Sequence, residues 1–179
     1  MKCATPKKVI QGKVGLTCSA KLKHGWKCVS FFSCKRPQKL SIADEKVKIL
    51  KLHNDQRDYH FKKDSIAFAN QLSENFISVN KGKINTPKKN ETISRYNGYF
   101  STVEFLKWDD VSEPIVRFSK DGSMAYTIVD KIVIVTYKNQ NGDIVEGKTH
   151  FAWTAIYKKY GTNWKIDCVT STERPSIEN

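Results

Sequence analysis

The sequence predicts an α+β domain. Three N-terminal helices pack in the concave face of a curved, mostly antiparallel sheet, and three observations carry that reading. The stretch Ser41–Lys63 contains no Gly or Pro and gathers five of its charges on one helical arc. From Val103 onward the apolar period changes to two. The strands so marked are separated by turns of Gly and Asn, so helices come first and hairpins follow.

The chain of 179 residues fits one domain plus an appendage, and the break falls near Leu40. Residues 1–40 hold ten of the 31 Lys/Arg and no acid. The remaining 21 basic side chains meet 18 acidic ones, so residues 41–179 contribute only +3 of the net +13. The basic charge therefore belongs to the leader, and the folded part shows no clustered cationic surface for nucleic acid. Four of five cysteines (Cys3, Cys18, Cys28, Cys34) also lie there, leaving Cys168 without an internal disulfide partner in the domain.

Residues 1–40 show neither helical nor strand periodicity and read as a disordered basic leader, an over-long translated start or an export segment. "SFFSCKRPQ" resembles the end of a lipoprotein signal, with Cys34 as the lipidated residue. That reading would place the protein at a membrane, whereas a plain leader leaves it cytoplasmic. Against export, the apolar segment before Cys34 is interrupted by Lys27 and is shorter than the roughly 7–15 residues such signals use. Cys18, His24, Cys28 and Cys34 are spaced unlike a zinc knuckle, so no metal is assigned.

Within residues 41–179, Ser41 can cap the first helix, with Asp44 three residues on. Lys48, Lys51, Asp55, Asp58 and Lys62 share one arc, and Val47, Ile49, Leu50, Leu52, Tyr59 and Phe61 cover the rest. A shorter helix spans 64–73, "NFISV" (75–79) alternates like a strand, and a third helix starts near Asn90. Strands are expected near 104–119, 123–138, 147–159 and 163–172, joined by turns at "KDG", "NQNGD" and "YGTN".

This order, with the ending "YGTNWKIDCVTST", the "THFAWT" stretch before it and Asp64 after the first helix, resembles the cone-shaped fold of nuclear transport factor 2, ketosteroid isomerase and the SnoaL-like cyclases. The resemblance spans about Ile42 to Pro175. It implies a conical pocket between the first helix and the sheet, and often a homodimer through the sheet. Its members include isomerases, cyclases, dehydratases and binding or assembly modules, so it implies no single activity. Several carry His-x-His on the last strand, where this chain has Cys168 and Thr170.

His53 and His60 stand seven residues apart, within about 20° on the helical wheel, opposite the charged arc. Gln56 and Arg57 flank them. Polar residues at the centre of an inward face point to a wet or ligand-filled cavity, because an unpaired buried polar group costs about 1–3 kcal/mol. The structural alternative is that both histidines simply find buried partners. His60 or His53 is the candidate proton shuttle, and Arg57 could hold a carboxylate or enolate oxygen. Asp130 interrupts "AYTIVDKIVIV" and is either a desolvated base or half of a cross-strand pair, with His150 or a Lys as its partner.

Trp108, Tyr126 and Trp153 are candidate wall residues for a flat apolar ligand, with Tyr59, Cys168 and Thr170 as further contacts. Simple alternation puts Trp164, Ile166, Cys168 and Thr170 on one face. No phosphate loop, HExxH or Gly-x-Ser-x-Gly is present, and no cofactor is expected. The expected function is a dimeric domain binding an apolar or aromatic small molecule. A cofactor-independent isomerase, cyclase or dehydratase and a non-catalytic assembly module are the alternatives.

Overall fold

Helix α1 (Ile42–Phe61) begins where the Ser41 side chain accepts the Asp44 backbone N–H at 3.3 Å. It ends as Lys63 turns left-handed with φ of 56°. Asp64 then caps the short helix α2 (Ser65–Asn70), accepting from the Ala67 N–H at 2.8 Å. The computed structural model describes residues 41–174, and the readings of residues 1–40, Cys34 lipidation included, lie outside the described residues.

Strand β1 (Leu72–Asn80) turns through Lys81 and Gly82, both at positive φ, into β2 (Lys83–Asn85), a three-residue strand too short for periodicity to reveal. Helix α3 (Lys89–Thr102) follows. The expected single strand over 104–119 is instead two, β3 (Val103–Asp110) and β4 (Ile115–Phe118). The segment between them contains Pro114, which has no N–H to offer a ladder. Both pair with the same long strand, β5 (Met124–Lys138), and β6 (Ile144–Tyr160) and β7 (Asn163–Glu173) complete the sheet.

The sheet order is β2-β1-β7-β6-β5-β3, with β4 also on β5. Every pairing is antiparallel except β1 with β7. The fold is therefore the α+β arrangement expected, helices followed by a curved, mostly antiparallel sheet.

Two irregularities decide which side chains face the helices. In β3 the register slips between Phe105 and Lys107, so Phe105 and Trp108 are both buried although they stand three apart. In β7 the slip lies at Asp167: Ile166 sits opposite Tyr157, but Cys168 sits opposite Ile156. One extra residue reverses all later alternation.

Helix α1 buries Glu45, Ile49, His53, Gln56 and His60, a stripe with one aliphatic residue. Val47, which simple patterning would turn inward, is 67% exposed. Helix and sheet are held at one end by Glu45, which accepts from the Trp164 indole, from Lys48 at 2.9 Å and from Lys159 at 3.0 Å. Burial opposes the charge on Glu45, but these three donors outweigh it and hold the carboxyl at about 2. Beside this anchor Ile49, Ala155, Tyr157, Trp164 and Ile166 form one apolar cluster; Phe100, Val103, Phe105, Trp108 and Val133 form the other. Trp153 packs against both.

Candidate functional site

A cavity of about 680 Å³ opens where the two clusters meet. Its buried floor includes His60, Gln56, Phe68, Trp108, Val133, Ala155 and Ile166. Toward solvent the wall passes through Tyr96, Tyr99 and Trp153 to exposed Lys81, Lys83, Arg95 and Glu173.

His60 is the polar centre of the floor. Its Nδ1 lies 2.6 Å from the backbone carbonyl of Gln56. A carbonyl can only accept, so the proton sits on Nδ1 and the Nε2 lone pair is left free. Aromatic rings surround the imidazole: Trp108 stacks on it at 4.6 Å and 27°, and Phe68, Tyr96, Phe100 and Phe105 meet it edge-on. Burial in this cage pushes its pKa down to about 4; the bond to Gln56 opposes that shift and Lys131 reinforces it. His60 is thus neutral at pH 7, with an acceptor nitrogen that no protein group among the described residues satisfies.

His53 lies one helical stretch away and does not line the cavity. Its Nε2 donates to Asp110 at 2.8 Å, while Nδ1 is buried without a hydrogen-bond partner. Asp110 also receives Lys131 Nζ at 2.7 Å. Burial alone would raise the Asp110 carboxyl, yet His53 and Lys131 bring it below its ordinary value. Lys131 is only 2% exposed and sits 3.5 Å over the Trp108 ring, with Trp153 at 5.6 Å. Burial lowers its pKa against the pull of Asp110. Nothing in the sequence marks this lysine as a cation under the aromatic wall, because a long-stemmed lysine on a strand reads as an edge or surface residue.

That neighbour, Asp130, points the other way. Burial alternates along β5, with Val129, Lys131 and Val133 inward, so Asp130 is exposed on the outer face. His150 Nε2 is 3.4 Å from Asp130, the cross-strand pairing anticipated as its structural role. The aspartate does not line the aromatic cavity.

The other candidates divide in the same manner. Gln56, Trp108 and Trp153 line the cavity. Arg57 is half exposed, bonded to Asp109 at 3.0 Å and stacked on Phe61, away from the cavity wall. Tyr59 does not line it, and Tyr126 is exposed on the outer face. The slip at Asp167 turns Cys168 and Thr170 outward as well. Val169, Ser171 and Glu173 line the cavity in their stead. Among the described residues no group of three or more His, Cys, Asp or Glu is placed to hold a metal ion.

Comparison with solved structures identifies the fold. The chain is similar to a nuclear transport factor 2-like protein from Cytophaga hutchinsonii (TM-score 0.57, 15% identity, covering 74% of this chain and 98% of that one). It is also similar to a ketosteroid isomerase-like protein from Erwinia carotovora atroseptica (TM-score 0.59, 15% identity, 74% and 98% covered). A protein with a cystatin-like fold from Caulobacter vibrioides matches at TM-score 0.56 and 13% identity, over 74% of this chain and 91% of that one. No family sequence model and no curated protein sequence matches the chain. The architecture is that of the nuclear transport factor 2-like cone, and identities this low speak to fold alone.

Proposed function

We propose that this protein is a small-molecule-binding domain whose ligand is an apolar, flat molecule carrying a hydrogen-bond donor. The free Nε2 lone pair of His60, at the bottom of an aromatic cavity, carries the reading. An apolar body displaces water from Trp108, Trp153 and Tyr96, and its hydroxyl or amine donates to the imidazole. A ligand that covered this nitrogen without donating to it would leave an acceptor unpaired at a cost of about 1–3 kcal/mol, so a donor-bearing ligand is favoured over a plain hydrocarbon of the same shape.

Binding is better supported than base catalysis. At pH 7 an imidazole held at about 4 is a weak base, His53 is tied to Asp110, and Asp130 is on the outer face. The test is quenching of tryptophan emission by 2-naphthol. Saturable quenching in the wild type, lost in the cavity-filling variant Val169→Trp while its far-UV spectrum is kept, is the expected result. Equal quenching of both proteins would refute a cavity site.

A homodimer through the outer sheet face belongs to the same proposal. Ile115, Met124, Tyr126 and Ile128 are there 41–47% exposed and adjacent in the β4–β5–β6 register. Sedimentation of the full chain should give a dimer that Tyr126→Glu converts to a monomer. A wild-type monomer at micromolar concentration would contradict it.

A further inference from the structure

The two ends of the cavity differ in kind. At the floor His60 offers a neutral acceptor, and Gln56 is the other buried polar side chain beside it. The mouth is cationic. Three bases, Lys81, Lys83 and Arg95, face one acid, Glu173, and that acid is already engaged by Lys81 at 3.0 Å. Lys83 and Arg95 have no ion-pair partner among the described residues and are exposed. Asn80 and Asn85, from the two strands of the same hairpin, add amide donors beside them.

Resting on the binding reading above, we infer that the ligand is an amphipathic hydroxy acid, bound with its carboxylate at the mouth against Arg95 and Lys83 and its hydroxyl at the floor against His60. The polarity of the cavity sets the orientation. A carboxylate driven to the floor would lose its hydration, face the lone pair of a neutral imidazole and find no cation among the residues lining that end. At the mouth it stays partly hydrated and meets Lys83 and Arg95, unpaired among the described residues, the latter a guanidinium able to bind it in bidentate fashion. The hydroxyl, in contrast, costs little to bury once it donates to Nε2. The apolar span between the ends is covered by the aromatic wall, so a rigid, flat body bridges them at small entropic cost.

Both parts can be tested on the full-length chain with 6-hydroxy-2-naphthoate, its methyl ester and 2-naphthoate, followed by their naphthalene fluorescence. The hydroxy acid should bind about tenfold more tightly than its ester, and the double variant Arg95→Gln, Lys83→Gln should erase that difference while leaving the ester's affinity in place. Raising the salt from about 0.05 M to 0.5 M should narrow the gap, as expected for charges at an open mouth. In His60→Phe the hydroxy acid should fall to the affinity of 2-naphthoate, which itself should change little. Equal affinities of acid and ester in the wild type, or an acid preference that survives the double variant, would overturn the assignment of the mouth and leave the cavity reading intact. A hydroxyl preference that survives His60→Phe would overturn the assignment of the floor. Binding of none of the three probes would remove the cavity reading, and this inference with it.

Discussion

Lys131 and Asp130 show how much one position matters. Adjacent in sequence, they take opposite faces of β5, and the lysine is the one buried under Trp108. From sequence, the aspartate looked like the anomaly because a long aliphatic-stemmed lysine reads as an ordinary edge residue. Strand parity settles the matter, and parity needs an anchor that one strand alone does not supply. Lys131→Met should cost about 3 kcal/mol, because it leaves Asp110 partly buried with His53 as its remaining close partner. Chemical denaturation would check this, and a loss below about 0.5 kcal/mol would mean the ion pair contributes nothing net. His53 and His60 were both legible as unusual residues on an inward face. Their different partners, a carboxylate for one and a backbone carbonyl for the other, come from β3 and from the helix itself and could not be read from spacing.

At the level of elements, the helices and long strands were readable because each carries its own period and its own turn chemistry. Periodicity could not find the bulges. A bulge is one unpaired residue whose effect is to reverse all the residues after it, and neither Leu106 nor Asp167 has a composition that marks one. The consequence is sharp in β7, where Val169 and Ser171 occupy the wall in place of Cys168 and Thr170. Deleting Asp167 should remove the bulge while leaving Cys168 opposite Ile156 and Val169 opposite Ala155, and it also removes the bond to Ser73 at 2.7 Å. We expect a lower melting temperature with 2-naphthol binding retained; loss of binding in a folded variant would show that β7 shifts its register instead of closing the bulge. The α1 stripe was only half legible, since a buried glutamate is unexpected until its donors are known. Trp164→Phe removes one of them and should destabilise the fold by about 1–3 kcal/mol, measured by denaturant midpoint.

For the whole molecule, His60 and Glu45 on α1 set much of how stability responds to acid. The folded His60 value of about 4 lies below the ordinary 6.5, so between these values the unfolded chain binds more protons. Its contribution is complete above pH 6.5 and is lost as pH falls toward 4, an effect on the order of 3 kcal/mol. Glu45, at about 2 against 4.5, contributes in full above pH 4.5 and loses that contribution as pH falls toward 2. Stability should therefore decline in two successive stages on acidification. His60→Phe should abolish the first stage and Glu45→Gln should reduce the second, to which the lowered Asp110 carboxyl also contributes, each followed by urea midpoints across pH 2–8. A flat profile between pH 4 and 6.5 in the wild type would contradict the buried, neutral imidazole.

That imidazole is the centre of the account, and side-chain ¹⁵N NMR of the histidines observes it directly. Between pH 5 and 8 the His60 signals should remain those of a neutral ring with its proton on Nδ1, and saturating 2-naphthol should shift the Nε2 resonance as it accepts the new hydrogen bond. A ring that titrates near 6.5, or an Nε2 resonance indifferent to 2-naphthol, would contradict both the acceptor and the site built on it.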